Sequence, residues 1–274
     1  MARAALPAGG GRQATAGVTL SRLASLVRPA NWLPTVLALA AVAGAWQLVA
    51  SSTTAIIPTL GAIWSAFAGH TVALFANGGD TLAEALPGLA ISYVVAIVLA
   101  VAMSQSRVVT RAVLPLAVAL NVSPIIAFAP PLSIAFGLGR APRVVLAAVI
   151  TFFPSLINAI VGLGSADQGA LEVFQTLHAS RWETLWRLRL PASLPYLFAA
   201  ARISAPLSLV GAAVAEMVLG GTNVGLGIWI NTASANAQLN LAWARIAVLA
   251  FFGLLLTGLV AGLEAWVLKR RGFR

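Results

Sequence analysis

Apolar runs of about 20 residues, the length a helix needs to cross a roughly 30 Å hydrocarbon core at 1.5 Å per residue, recur along this chain. They fall at about 32–50, 82–104, 112–136, 142–164, 195–219 and 242–267. The pattern predicts an all-α membrane protein with six transmembrane helices. After the first run, Leu60, Ile63, Trp64 and Phe67 recur at i, i+3, i+4 and i+7. That spacing predicts a short helix with one apolar face, lying at the membrane interface or packed on neighbouring spans. Asn77, Gly78, Gly79 and Asp80 then predict a turn ahead of the second span. The third run contains Pro115, Pro124, Pro130 and Pro131, with Asn121 and Ser123 among them. Each ring removes a helical hydrogen bond and crowds the carbonyl four residues back, so this span is predicted to be broken. Backbone freed at membrane depth must be satisfied by protein or by a watery cavity, so the break either lines a path or is a packing kink.

Composition agrees with the pattern: 60% of the 274 residues are apolar and 9% charged, which one soluble core does not accommodate. Cysteine is absent, which excludes disulfides, thiol nucleophiles and thiolate metal sites. A formal charge of +10 would suggest nucleic acid in a soluble protein, but here the positions of the cations matter more. Thirteen of the 17 Lys and Arg lie before the first span, after the second, after the fourth or at the end, whereas residues 51–81 and 220–241 have none. The positive-inside rule therefore places both termini in the cytoplasm, with Arg140 and Arg143 as local violations. Residues 1–31, rich in Ala, Gly and Arg, read as a largely disordered cytoplasmic tail, and 32–274 as the membrane domain.

Ionisable residues inside hydrocarbon are costly and point to function by default. Glu216 lies toward the outer end of the fifth span and Arg202 toward its inner end. Glu216 is expected to act as a hydrogen-bond acceptor near the glycine-rich turn at 220–227. No series of Asp, Glu and His accompanies it, which argues against a proton-driven pump.

The main polar interruption is 165–195. Asp167 is placed to cap a helix from Gln168, with Leu171, Phe174 and Leu177 along one side, ending near His178. Ser180 and Glu183 have capping-box spacing and predict a second helix at once. Trp182, Leu185 and Trp186 are assigned to its apolar face, Arg181, Arg187 and Arg189 to its basic edge, and Leu190 and Pro191 to its end. Tryptophan and arginine anchor protein interfaces, although a basic amphipathic helix also suits an anionic membrane surface.

Glu172, the pivot at His178, then Ala179, Ser180 and Arg181, and finally Leu190 and Pro191 together resemble the EAA loop of ABC-importer permeases. Val173 and Phe174 stand where that pattern has alanines, and His178 where it has glycine. Phe136 to Gly139, Phe153 with Pro154, Pro195, Ala201 to Ile203, Ala215 with Glu216, and Gly225 to Gly227 extend the resemblance over roughly 55–267. They are similar to the nitrate, sulfonate and taurine branch and to members handling pyrimidine precursors of thiamine.

The resemblance implies a type I importer permease of the bacterial cytoplasmic (inner) membrane, multi-pass, with coupling helices at about 167–190. Its ATPase-coupling residues would be Glu172, Phe174, Leu177, His178, Ala179, Ser180, Arg181, Trp182, Glu183, Leu185, Trp186, Leu190 and Pro191. It implies as partners a second copy in a homodimer, a cytoplasmic ATPase dimer and an extracytoplasmic solute-binding protein, within the lipid bilayer and without nucleic acid. ATP and Mg²⁺ would then belong to the ATPase. This chain, which has no phosphate-cradling Gly-x-x-x-x-Gly-Lys-Ser/Thr loop and no clustered reactive side chains, would bind no cofactor or metal and catalyse no reaction. Polar groups on interior helices, Asn121, Ser123, Asn158, Ser204, Ser208 and Glu216, are the candidate translocation path. The competing class, a proton- or sodium-coupled secondary transporter, requires an inverted repeat and buried titratable series.

Overall fold

A computed structural model describes residues 29–52, 57–221 and 224–271; the expected N-terminal tail lies almost wholly outside them. The chain divides into two units, residues up to Leu60 and residues from Gly61 onward. In the first lies helix α1 (Pro29–Ser52), whose Trp46 Nε1 donates to the Pro58 carbonyl at 3.1 Å.

The second unit, among the described residues, is built of helices and their connections. In order come α2 (Leu60–Gln105), α3 (Arg107–Val122), a 3₁₀ turn (Ile125–Phe128), α4 (Ala129–Phe136) and α5 (Arg140–Leu163). Then follow α6 (Gln168–Thr176), α7 (Arg181–Thr184), a π turn (Leu185–Arg189), α8 (Leu190–Leu219), α9 (Leu226–Ala235) and α10 (Leu239–Arg270). Among the described residues of the whole chain, five stretches of helix, α1 included, are long and apolar enough to cross a membrane. The third predicted span is the bent pair, α3 against the 3₁₀ turn with α4, at an angle of 101°. The prolines break it as expected: Pro124 precedes the 3₁₀ turn, and Pro130 and Pro131 occupy the first turn of α4, where a missing N–H costs no helical bond.

Two readings of the sequence are corrected. The Asn77 to Asp80 run makes no turn; it is helical within α2, whereas the short helix expected at 58–69 is present as the first part of that element and ends in a kink. The irregularity sits earlier, at His70, with φ −129° and ψ 18°. Gly78 is there for contact rather than for a turn, since a Cβ on it would overlap the Phe252 ring of α10. Likewise Leu190 and Pro191 do not end the segment that begins at Arg181. The Leu190 N–H donates to the Leu185 carbonyl five residues back, and the chain continues directly into α8. Pro191 has no N–H and its ring crowds the Arg187 carbonyl, and the widened π turn accommodates both effects.

The helices meet through small residues, as expected where lipid tails remove the hydrophobic drive for association and close backbone approach takes over. α5 packs most extensively on α8, and α10 also packs on α8. Ala147, Ala212, Ala244 and Leu226 lie in one buried cluster, and Ala96, Ala100, Ala159, Leu156 and Leu185 in another. The Tyr93 hydroxyl of α2 donates to the Leu197 carbonyl of α8 at 2.6 Å.

Candidate functional site

The polar interruption is assembled by local hydrogen bonds. Asp167 accepts from the Ala170 N–H at 2.9 Å and starts α6. At the other end the His178 N–H donates to the Gln175 carbonyl at 3.0 Å and the Ala179 N–H to the Phe174 carbonyl at 2.9 Å. With His178 at φ 52°, this is a Schellman termination with histidine in the left-handed position. The Ser180 Oγ then accepts from the Glu183 N–H at 3.2 Å, and Glu183 Oε2 accepts from the Ser180 N–H at 2.9 Å. Both donors at the start of α7 are satisfied by this capping box, and the bend is pinned from both sides.

A left-handed backbone costs an ordinary L residue about 1–2 kcal/mol, less where a short polar side chain bonds locally, and a β-branched residue tolerates it worst. We therefore expect His178→Val to weaken this bend by about 1–2 kcal/mol while His178→Gly is tolerated. Amide exchange at His178 and Ala179 should rise in the first variant and stay near that of the parent protein in the second.

The segment's faces divide differently from the expectation. Leu185 is buried, at 1% exposure, among Ala100, Met103 and Leu163, so it anchors the segment to the membrane domain. Trp182 and Trp186 point outward, at 60% and 66% exposure, alongside exposed Leu177 and Val173. Glu172, His178, Ser180, Arg181 and Glu183 are exposed too, whereas Phe174, Ala179, Leu190 and Pro191 are half-buried. Arg181 reaches back to the Gln105 carbonyl at 3.4 Å, tying the bend to the end of α2. The result is a bent, pinned element whose exposed side carries two tryptophans and two aliphatic residues among charges.

A second polar constellation lies inside the helix bundle. Arg143 of α5 donates to Glu84 Oε1 of α2 at 3.1 Å, and to the carbonyls of Gly220 and Val224. Glu216 of α8 accepts from the Gly227 N–H, and the Thr81 Oγ1 of α2 accepts from the Leu226 N–H at 2.9 Å. Thr81, Glu84, Arg143 and Glu216 are all fully buried. Gly225 adopts φ 104°, and a Cβ there would overlap the Glu216 carboxylate, so the turn brings bare backbone against the carboxylate. Glu216 thus has the acceptor role expected near the glycine-rich turn. The residues expected as a loop at 220–241 contain α9, fastened to α10 by Arg245, which donates to the Trp229 carbonyl and lies 5.5 Å from its ring centroid.

Glu84, Arg143 and Arg245 were not singled out as charges within spans, although each falls inside or beside a predicted apolar run, which was signal enough. The two arginines that break the charge asymmetry both have acidic partners, Arg143 with Glu84 and Arg140 with Asp80 at 2.9 Å. Arg202 pairs with Glu264 of α10 at 2.6 Å.

The candidate path residues are spread over several elements. Asn121 is exposed at the end of α3, and Ser123 beside it donates to the Ala119 carbonyl at 2.7 Å. Asn158 donates to the Pro154 carbonyl at 2.8 Å and Ser208 to the Ala205 carbonyl at 2.8 Å, each within its own helix. Buried Ser204 meets Ser155 of α5 at 3.0 Å. Among the described residues no hydrogen bond joins any two of the six.

Several helices long and apolar enough to cross a membrane, a bent element presenting aromatic side chains from between two of them, and a buried charge cluster tying the turn before α9 to three helices define the class of a multi-helix membrane protein. Comparison with known families makes this specific: residues 88–272 match the model of the binding-protein-dependent transport system inner membrane component, and the chain belongs to that family. It is 35% identical over 191 residues to the formylaminopyrimidine transport permease protein ThiX of Halalkalibacterium halodurans, covering 70% of this chain and 76% of the relative. It is 32% identical over 255 residues to the riboflavin transport system permease protein RibX of Chloroflexus aurantiacus, covering 93% and 84%. Identity to the nitrate import permease protein NrtB of Leptolyngbya laminosa is 27% over 240 residues, covering 83% and 85%. These relatives are ABC importer permeases of the branch that the sequence resembles.

Proposed function

We propose that this chain is the transmembrane subunit of an ATP-driven, binding-protein-dependent importer in the cytoplasmic membrane, working as a homodimer with both termini inside. The observation that carries this reading is the pinned bend at His178 with Trp182 and Trp186 exposed beyond it, in a chain of this family. A cytoplasmic ATPase dimer docks on that face and holds the ATP and Mg²⁺. Its closure pushes on α6 and α7. Because α7 runs without a break through the π turn into α8, the push passes along one continuous element. The binding protein releases solute at the opposite face, near the turn and helix at 220–235.

The solute is small and either organic or anionic, of the pyrimidine-precursor, flavin, nitrate or sulfonate kind that the relatives' names carry. Of the buried charged side chains, Glu84 and Arg143 neutralise each other while Glu216 and Arg245 engage the backbone of Gly227 and Trp229, so none is reserved for strong binding of an anion. The binding protein therefore selects the solute.

Reconstitution into proteoliposomes tests the reading. Uptake should require ATP, the ATPase subunit and the loaded binding protein together. Uptake driven by a proton or sodium gradient without ATP would instead establish a secondary transporter. The ligand retained by the binding protein encoded beside this chain would identify the solute.

A further inference from the structure

A cavity of about 730 Å³ lies where the end of α2 and the start of α3 face the bent segment. Arg107, Arg181 and Arg189 all line it, together with Gln105, Ser106 and Thr184, and its lining includes no carboxylate. Among the described residues the arginines that form ion pairs are Arg140, Arg143 and Arg202, so Arg107, Arg181 and Arg189 have no acidic side chain to neutralise them. Arg181 spends one donor on the Gln105 carbonyl, which holds it at the rim.

Three guanidiniums around one hollow repel each other unless an anion joins them. The guanidinium fork matches phosphate oxygens better than any other common anionic partner except carboxylate. The volume lies within the range of small-molecule sites and exceeds what a bare phosphate fills. The cavity sits at the ends of membrane helices: Gln105 closes α2, Arg107 opens α3 and Arg189 directly precedes α8. Buried Met103 and half-buried Leu171 add apolar wall beside the charges.

We propose that this cavity is a binding site for a phosphate ester carrying a small organic group, held by Arg107, Arg181 and Arg189. Such a group is presented either by an acidic phospholipid at the membrane surface or by a soluble phosphate ester. The site does not depend on the transport reading, because binding is measured on the permease alone.

The full-length permease, purified in detergent and stripped of lipid, is offered phosphatidylglycerol, phosphatidylcholine or glycerol 3-phosphate, and retention is read by native mass spectrometry and thermal shift. Phosphatidylglycerol retained in preference to phosphatidylcholine supports the site with a lipid source; a shift with glycerol 3-phosphate in the absence of lipid supports it with a soluble one. In either case affinity should fall about tenfold or more in Arg107→Gln with Arg189→Gln. It should also fall, by less, in Arg107→Gln alone, whose exposed side chain leaves folding intact. Arg111→Gln, a charge change outside the cavity lining, should leave binding unchanged. The proposal is overturned if neither probe binds, or if the arginine variants bind as the parent does. It is equally overturned if they keep their lipid and lose only the ATPase subunit, which would make the cavity a protein contact.

Discussion

Replacing Arg143 by methionine is expected to destabilise the protein by about 3–5 kcal/mol, because it strands the Glu84 carboxylate in the bundle with its counter-charge gone. The loss extends beyond the pair. Arg143 also donates to the Gly220 and Val224 carbonyls, so the turn leading into α9 loses its tie to α5. Glu84→Gln should be milder, since an amide still presents an acceptor to the guanidinium. The double variant Glu84→Gln with Arg143→Met should recover part of the loss, because no unpaired charge remains, while the two carbonyls stay without their donor. Unfolding by denaturing detergent in micelles, run as a double-mutant cycle, measures this. A single Arg143→Met variant as stable as the parent would show that the buried pair contributes nothing to holding the turn.

The apolar windows locate the long helices to within a few residues at most ends, because span length is set by the bilayer and not by tertiary detail. Proline chemistry likewise predicts the broken third span, since the lost bonds are local. Asp167, Ser180 and Glu183 were legible for that reason too: each cap is closed by a partner three residues away. By contrast, the pairing of Glu84 with Arg143 joins residues 59 apart, and no local rule contains it. Turn propensity at Asn77 to Asp80 was overridden by packing, where Phe252 occupies the space a side chain on Gly78 would need. The grouping of Leu185 with the two tryptophans on one apolar face also has a physical origin. Helical spacing groups it with Trp182 and Trp186, but burial against Ala100 and Met103 takes it to the opposite side, and a π turn begins at that very residue.

That inversion of Leu185 sharpens the test of the docking face. Trp182→Ala combined with Trp186→Ala removes two exposed aromatic anchors while leaving the buried contacts untouched, so the stability of the permease itself should change little. If the ATPase seats on this face, loss of such anchors costs about 2 kcal/mol or more of binding, a fall of roughly thirtyfold in affinity. ATP hydrolysis should then cease to follow solute-loaded binding protein, and uptake should fall with it. Leu185→Ala should show the opposite signature: about 2–5 kcal/mol of lost stability from a cavity under the segment, with ATPase affinity reduced only as far as the bend loosens. The contrast matters because either variant alone lowers uptake, by decoupling in one case and by misfolding in the other. Affinity of the purified subunits for each other, measured beside the unfolding midpoint of each permease variant, separates the two. Tryptophan variants that bind the ATPase as tightly as the parent would remove the docking role from this face and leave it to the membrane surface.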